Sequence, residues 1–119
     1  MLLVDESRGI HRRVSRILAG AGHTVVGCAE GAPEAIKAIG KERPDVVLVD
    51  INLAEGSGFD LLRAGQRWQE GPATVIFSNS ATVQHRRRAR ELGVDSFLDK
   101  SHEWERLLPV INSIQEARE

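Results

Sequence analysis

Short apolar runs alternate with stretches of helical periodicity along the whole chain. Leu2-Leu3-Val4 predicts a strand that ends at Asp5-Glu6. Ile10, Val14, Ile17, Leu18 and Ala21 then recur at helical spacing, with Gly20 and Gly22 as stops. Thr24-Val25-Val26-Gly27-Cys28, rich in β-branched residues, predicts a second strand. Pro33 suits the first turn of a second helix, whose apolar face is Ala35, Ile36 and Ile39. Pro44 closes that connection. Val46-Val47-Leu48-Val49 is continuously apolar, the pattern of a strand buried on both faces, and it ends at Asp50.

The second half repeats the alternation. A Gly-containing loop, Asn52 to Gly58, leads into a helix marked by Phe59, Leu61, Leu62 and Trp68. Val75-Ile76-Phe77 predicts a fourth strand ending in Ser78-Asn79-Ser80. A fourth helix runs from Ala81 or Thr82 to Leu92, with Gly93 past its end. Ser96-Phe97-Leu98 predicts a fifth strand ending at Asp99-Lys100. Ser101 is the expected N-cap of a last helix with Trp104, Leu107, Leu108, Ile111 and Ile114 on its inner face. Pro109 falls inside that run, so this helix is expected to be kinked or to have a broken first half. Five βα units without a linker or repeat predict one α/β domain over 1–119, a parallel sheet with helices on both faces. The ligand site of such a sheet lies at the carboxyl ends of its strands.

Composition narrows the function. Sixteen Lys+Arg stand against 17 Asp+Glu, without the basic excess of a dedicated nucleic-acid binder. The apolar runs are too short to cross a bilayer, and the N-terminus lacks the pattern of a signal peptide. The single cysteine, Cys28, excludes a disulfide framework and a multi-Cys zinc site, and a cytoplasmic setting is expected. Cys28 itself is expected to be a small buried residue. His11, His23, His85 and His102 show no metal-ligand spacing and are expected to be solvated or structural.

The polar residues fall where the strand-end rule puts a site. Asp5-Glu6, Asp50, Ser78 and Lys100 all stand at strand ends that share one edge. Each alone is ordinary loop-entry polarity; five together are not. Three carboxylates at close range need a counter-charge, since two unit charges 4 Å apart repel by about 4 kcal/mol at an effective dielectric of 20. An all-oxygen cluster with few protein ligands suits Mg²⁺, which keeps several waters and often bridges to phosphate. A carboxylate beside Mg²⁺ can attack phosphorus and form an aspartyl-phosphate. Lys100 and the Ser78 hydroxyl are suited to the phosphoryl oxygens.

These residues resemble the receiver domain of bacterial two-component response regulators. The motifs are Leu3-Val4-Asp5-Glu6-Ser7, Val47 to Leu53 with Gly58 after it, Val75-Ile76-Phe77-Ser78, and Phe97-Leu98-Asp99-Lys100-Ser101, in order and at matching spacings. The resemblance covers the chain from Leu2 to about Ile114. It implies a (βα)5 flavodoxin-like doubly wound sheet of strand order 2-1-3-4-5. It implies Asp50 as phospho-acceptor and Asp5, Glu6, Asp50 and the Asn52 carbonyl as Mg²⁺ ligands. Ser78 and Lys100 would hold the phosphoryl group, with Ser78 and Phe97 as the switch pair. The implied donor is a sensor histidine kinase, a phosphotransfer protein or a small phosphodonor. Output to a partner the sequence does not name would run through helix 4, strand 5 and helix 5. Such a domain is a signalling module that catalyses only its own aspartyl phosphorylation and dephosphorylation.

Three positions depart from the family pattern. Glu6 stands where Asp is commonest, Ser101 where a proline often follows the lysine, and Asn79 where a small apolar residue is usual. Asn79 is expected to narrow access to the phosphoryl group. Two other functions are weighed against the receiver. A pseudo-receiver that only docks partners would not need the full acidic set. A Mg²⁺-dependent phosphohydrolase of the haloacid dehalogenase type would carry Asp, not Asn52, two residues after its nucleophile, and more chain for a cap. The basic run His85 to Arg90 on the fourth helix is expected to be chiefly a solvated face. Trp68 and Trp104 are expected to pack at the core or its edge.

Overall fold

Alternation within single strands divides the core of this protein in two. In the computed structural model, which describes residues 1–118, five strands alternate with five helices. The strands are β1 (Leu2–Val4), β2 (Gly27–Ala29), β3 (Val46–Val49), β4 (Ala73–Ser78) and β5 (Ser96–Asp99). The helices are α1 (Arg8–Gly20), α2 (Ala32–Glu42), α3 (Gly58–Gly65), α4 (Val83–Glu91) and α5 (Trp104–Arg118). All pairings are parallel and the order is β2-β1-β3-β4-β5, the flavodoxin-like arrangement. Successive residues of a strand point to opposite faces. Leu2, Val4, Val47, Val49 and Ile76 therefore pack with Ala35 and Ile39 of α2, Phe59, Leu61 and Leu62 of α3, and Ala89 of α4. Leu3, Val46, Leu48, Val75 and Phe77 pack on the other face with Val14 and Leu18 of α1 and Leu107 and Ile111 of α5. Burying each such side chain contributes about 1.5–3 kcal/mol. No helix among the described residues is long and apolar enough to cross a membrane.

Local sequence sets the helix ends. Ser7, Ser57 and Thr82 cap α1, α3 and α4 with their side-chain oxygens, and Ser57 with Asp60 forms a reciprocal capping box. Gly22 and Gly93, both at φ +85°, end α1 and α4. In each case the next residue reaches back, His23 N to Leu18 O and Val94 N to Ala89 O, to satisfy orphan carbonyls.

Several expectations are corrected. The second strand is Gly27–Ala29, not Thr24–Cys28, because β1 offers only Leu2–Val4 as partners and pairing overrides β-branched content. Cys28 faces solvent on this edge strand, although partial burial still raises its pKa. Ile36 is 37% exposed, so the face of α2 is Ala32, Ala35 and Ile39. Trp68 lies past the end of α3 and packs from the following turn. Ser101 does not cap α5, which starts at Trp104 after a turn in which His102 and Glu103 donate their amides to Asp99 O. The first half of the same helix is not broken: it is continuous from Trp104 to Arg118 with Pro109 inside it. Glu105 and Pro109 both lie on its exposed side, so the carbonyl deprived of its donor is on the water side, and Leu107 and Ile111 anchor the helix across it.

α4 is held differently from its neighbours. Its one buried residue is Ala89. The guanidinium of Arg86 lies 4.7 Å from the Phe97 ring centroid, and that of Arg88 lies 4.6 Å from Phe59. His85 donates from Nδ1 to Ser80 O at 2.7 Å and sits 5.5 Å from the Phe59 ring. Partly exposed cation–π contacts contribute about 0.5–1 kcal/mol each, less than one buried aliphatic side chain. The basic run is thus chiefly a solvated face, with Arg87, Arg88 and Arg90 exposed and Arg86 half-buried, and two of its guanidinium groups, Arg86 and Arg88, also lie on aromatic rings.

Gly58 links the fold to the site. A Cβ there would stand 2.5 Å from the Asp50 carbonyl oxygen, a backbone atom that cannot yield without moving strand end and helix start. Gly58→Ala is expected to lower the unfolding free energy by about 1–3 kcal/mol in urea denaturation, the usual range for overpacking. An unchanged midpoint would show that the loop relaxes freely.

Candidate functional site

The backbone ladder carries the predicted residues to one edge. Asp5 N bonds to Ala29 O at 3.0 Å, Asp50 N to Val4 O at 2.9 Å, and Lys100 N to Ser78 O at 3.0 Å. Each of these residues lies just beyond its strand, yet its amide is fixed by the neighbouring strand. Their side chains then meet. Lys100 Nζ lies 2.5 Å from Asp5 Oδ2 and 2.7 Å from Asp50 Oδ2. The three side chains are 7%, 8% and 12% exposed. Burial alone would pull Lys100 down, but the hydrogen bonds and charges of Asp5 and Asp50 outweigh it, so its pKa is raised above 10.5. The stabilisation linked to that raised value is fully present below the unfolded lysine value of about 10.4 and is lost as pH climbs through the folded one.

The two carboxylates are not equivalent. Both oxygens of Asp5 are engaged, Oδ2 by Lys100 and Oδ1 by Ser7 N at 2.9 Å, where α1 begins. Asp50 Oδ1 accepts only a long bond, 3.4 Å, from Asn52 N. Asp50 is the carboxylate with accepting capacity to spare.

Ser78 is fully buried, and its Oγ accepts from Ser80 N at 3.1 Å. Asn52 Nδ2 donates to Ser80 Oγ at 2.7 Å. Ser101 Oγ donates to Asn79 Oδ1 at 2.8 Å. Two of the three departures, Asn79 and Ser101, are therefore partners of each other, joining the loop after β4 to the turn after β5. Phe97 is half-buried and lies under Arg86. Glu6 is exposed and takes no part in the Lys100 cluster. Among the described residues no three His, Cys, Asp or Glu side chains form a metal-holding group.

Some contributors were not legible as such. His11 lines a small cavity with Asp5, Asp50 and Phe77, and its Nε2 is buried without a partner. Glu103 Oε1 accepts from Asp99 N at 2.9 Å and from Arg86 at 3.5 Å, and these bonds with that of Arg106 hold its pKa low. Trp104 meets Phe77 edge-on at 4.8 Å, with Arg13 over its ring at 3.8 Å. Neither Arg86 nor Glu103 stands out from its polar neighbours in sequence.

An open parallel α/β sheet with acids, a hydroxyl and a lysine at its carboxyl edge has its polar groups where doubly wound sheets bind ligands. The chain belongs to the response regulator receiver domain family, whose model it matches over residues 1–112. It is 28% identical over 116 residues to the transcriptional regulatory protein GlrR of Escherichia coli, covering 98% of this chain and 26% of that protein. It is 33% identical over 103 residues to a protein-glutamate methylesterase/protein-glutamine glutaminase of Archaeoglobus fulgidus, covering 84% and 29%. It thus spans under a third of these relatives. Among solved structures, the non-phosphorylated HemR receiver domain of Leptospira biflexa superposes with a TM-score of 0.84 at 25% identity, covering 95% of this chain and 90% of that one. A LuxR-family two-component response regulator from Aurantimonas gives 0.89 at 25% identity, covering 98% and 84%. This domain is a signalling module of a family whose general function is phosphorylation-based signalling.

Lys100 is the counter-charge for both acids, so its loss strands two nearly buried carboxylates. Lys100→Met is expected to cost about 3–5 kcal/mol at pH 7 by urea denaturation. A variant as stable as wild type would show that Lys100 does not neutralise the pair.

Proposed function

We propose that the whole chain, 1–119, is one receiver domain whose Asp50 accepts a phosphoryl group. A sensor histidine kinase, a phosphotransfer protein or a small phosphodonor supplies it. The observation that carries this reading is the asymmetry of the two carboxylates: each Asp5 oxygen accepts a close bond, while Asp50 keeps an oxygen held only by a long one. An Asp50 oxygen attacks phosphorus, an acyl-phosphate bond forms, and the donor's phosphorus–nitrogen or phosphorus–oxygen bond breaks, its electron pair leaving with the donor. Lys100 already touches Asp50 and can follow the charge onto the phosphoryl oxygens. The Ser78 hydroxyl, whose oxygen accepts from Ser80 N, donates its O–H to a phosphoryl oxygen, and Phe97 follows.

The donor set fits Mg²⁺. Asp5 and Asp50 converge on one cation, and Mg²⁺ characteristically takes one or two carboxylates with water and phosphate oxygens. Asp5, Asp50, the Asn52 carbonyl and Glu6, turned inward from its exposed position, would hold it. When bound, the ion would neutralise the charge gathering on the phosphoryl oxygens. Signal output then runs from Ser78 and Phe97 to the surface of α4, β5 and α5, towards a partner that binds in the cytoplasm. The reaction is confined to the domain's own aspartate.

Incubation with Mg²⁺ and acetyl phosphate is expected to add the mass of one phosphoryl group, and Asp50→Asn to abolish the gain. Label retained in that variant at the wild-type level would refute Asp50 as acceptor. Mg²⁺ alone is expected to raise the melting temperature, since it binds only the folded site. The doubly substituted Asp5→Ala, Glu6→Ala protein should lose that shift, and an intact shift would place the ion elsewhere.

A further inference from the structure

α4 is the helix with the least apolar anchorage, and one of its side chains gathers contacts from two other elements. The Arg86 guanidinium covers the Phe97 ring at 4.7 Å. Its Nη1 donates to the carbonyl oxygen of the same phenylalanine at 3.4 Å. Its Nη2 reaches Glu103 Oε1 at 3.5 Å. That oxygen also accepts from Asp99 N at 2.9 Å, next to Lys100. Arg106 holds the other oxygen of Glu103. One guanidinium thus grips ring, backbone and a glutamate that fixes the end of β5 to the start of α5.

We propose that Arg86 is a positioning residue of the switch, a latch that holds α4 and Phe97 together while Asp50 is unmodified. The inference rests on the reading of Asp50 and Phe97 given above. With the latch closed, the Phe97 ring leaves the guanidinium only by giving up the cation–π contact, while Nη1 on the Phe97 carbonyl and Nη2 on Glu103 hold the guanidinium in place. Movement of Ser78 and Phe97 on phosphorylation takes the ring out of the latch, which loosens α4 on β5. Arg88 on Phe59 remains as the second dock, so α4 swings rather than unfolds. By linkage, opening the latch in advance favours phosphorylation by the same factor by which phosphorylation favours opening.

The test compares Arg86→Gln with Arg87→Gln, the adjacent exposed arginine. Amide hydrogen exchange of unmodified protein reads the latch without any phosphoryl transfer. Arg86→Gln is expected to speed exchange across α4 by about fivefold, with β3 and β4 amides unchanged. It is also expected to speed phosphoryl uptake from acetyl phosphate severalfold, a readout that a merely structural role would not raise. Arg87→Gln should change neither. Equal behaviour of the two variants in α4 exchange, or slower uptake in Arg86→Gln, overturns the proposal. Should Arg86→Gln lose protection throughout the sheet, Glu103→Gln is measured instead, since it removes the ion pair and leaves the ring contact. Faster α4 exchange and uptake there support the latch, and wild-type values overturn it. Wild-type protein that takes up no phosphoryl group defeats the reading of Asp50, while the exchange comparison still decides the latch.

Discussion

The ammonium of Lys100 between Asp5 and Asp50 is the interaction on which the rest of this edge depends. It joins the ends of three strands, β1, β3 and β5, through side chains at one edge of the sheet. Two carboxylates this close and this dry would repel each other by several kcal/mol without it. The pair is no large source of stability, because desolvating three charges offsets much of their attraction. Its effect is to keep acidic groups at a buried place where an apolar cluster would be more stable. The site therefore holds charge in reserve, its acidic groups already neutralised and already oriented.

Much of the fold was legible because its signals are redundant. β3 reads as four apolar residues and is buried at all four, and Gly93 sits past α4 where a left-handed turn is required. Failures came where pairing or packing outvoted local preference. Val25 and Val26 look like strand, but the ladder with β1 begins only at Gly27, and Val26 is tied ahead of it by a single backbone bond to Met1 O. Ile36 has the spacing of a core residue, yet α2 lies over an edge strand of three residues and leaves it in water. Pro109 breaks a rule of helix interiors, and the apolar side of α5 is strong enough to carry the helix through.

The site divides in the same way. Asp5, Asp50, Ser78 and Lys100 were legible because parallel topology alone puts strand ends on one edge, and the coordinates join three of them through Lys100. Asn79 and Ser101 were visible as separate oddities, and only geometry shows them as one hydrogen-bonded pair. Arg86 and Glu103 were hidden because charge in a polar helix carries no sign of its target. A guanidinium that stacks on a ring and one that waves in solvent are spelled with the same letter.

The weak docking of α4 follows from a constraint that the site imposes on its own surroundings. A helix fastened by three or four buried aliphatic side chains would resist displacement by more free energy than one new phosphoryl contact supplies. A helix with no dock would have no resting position to leave. Ala89 and two arginine–aromatic contacts lie between these limits. Such contacts are also directional and polar, so they can be exchanged for water with little loss, whereas a buried leucine cannot. The low apolar content of α4 therefore leaves it the more easily displaced helix, whereas α1 and α5 on the opposite face are each fastened by two buried side chains, Val14 and Leu18, and Leu107 and Ile111.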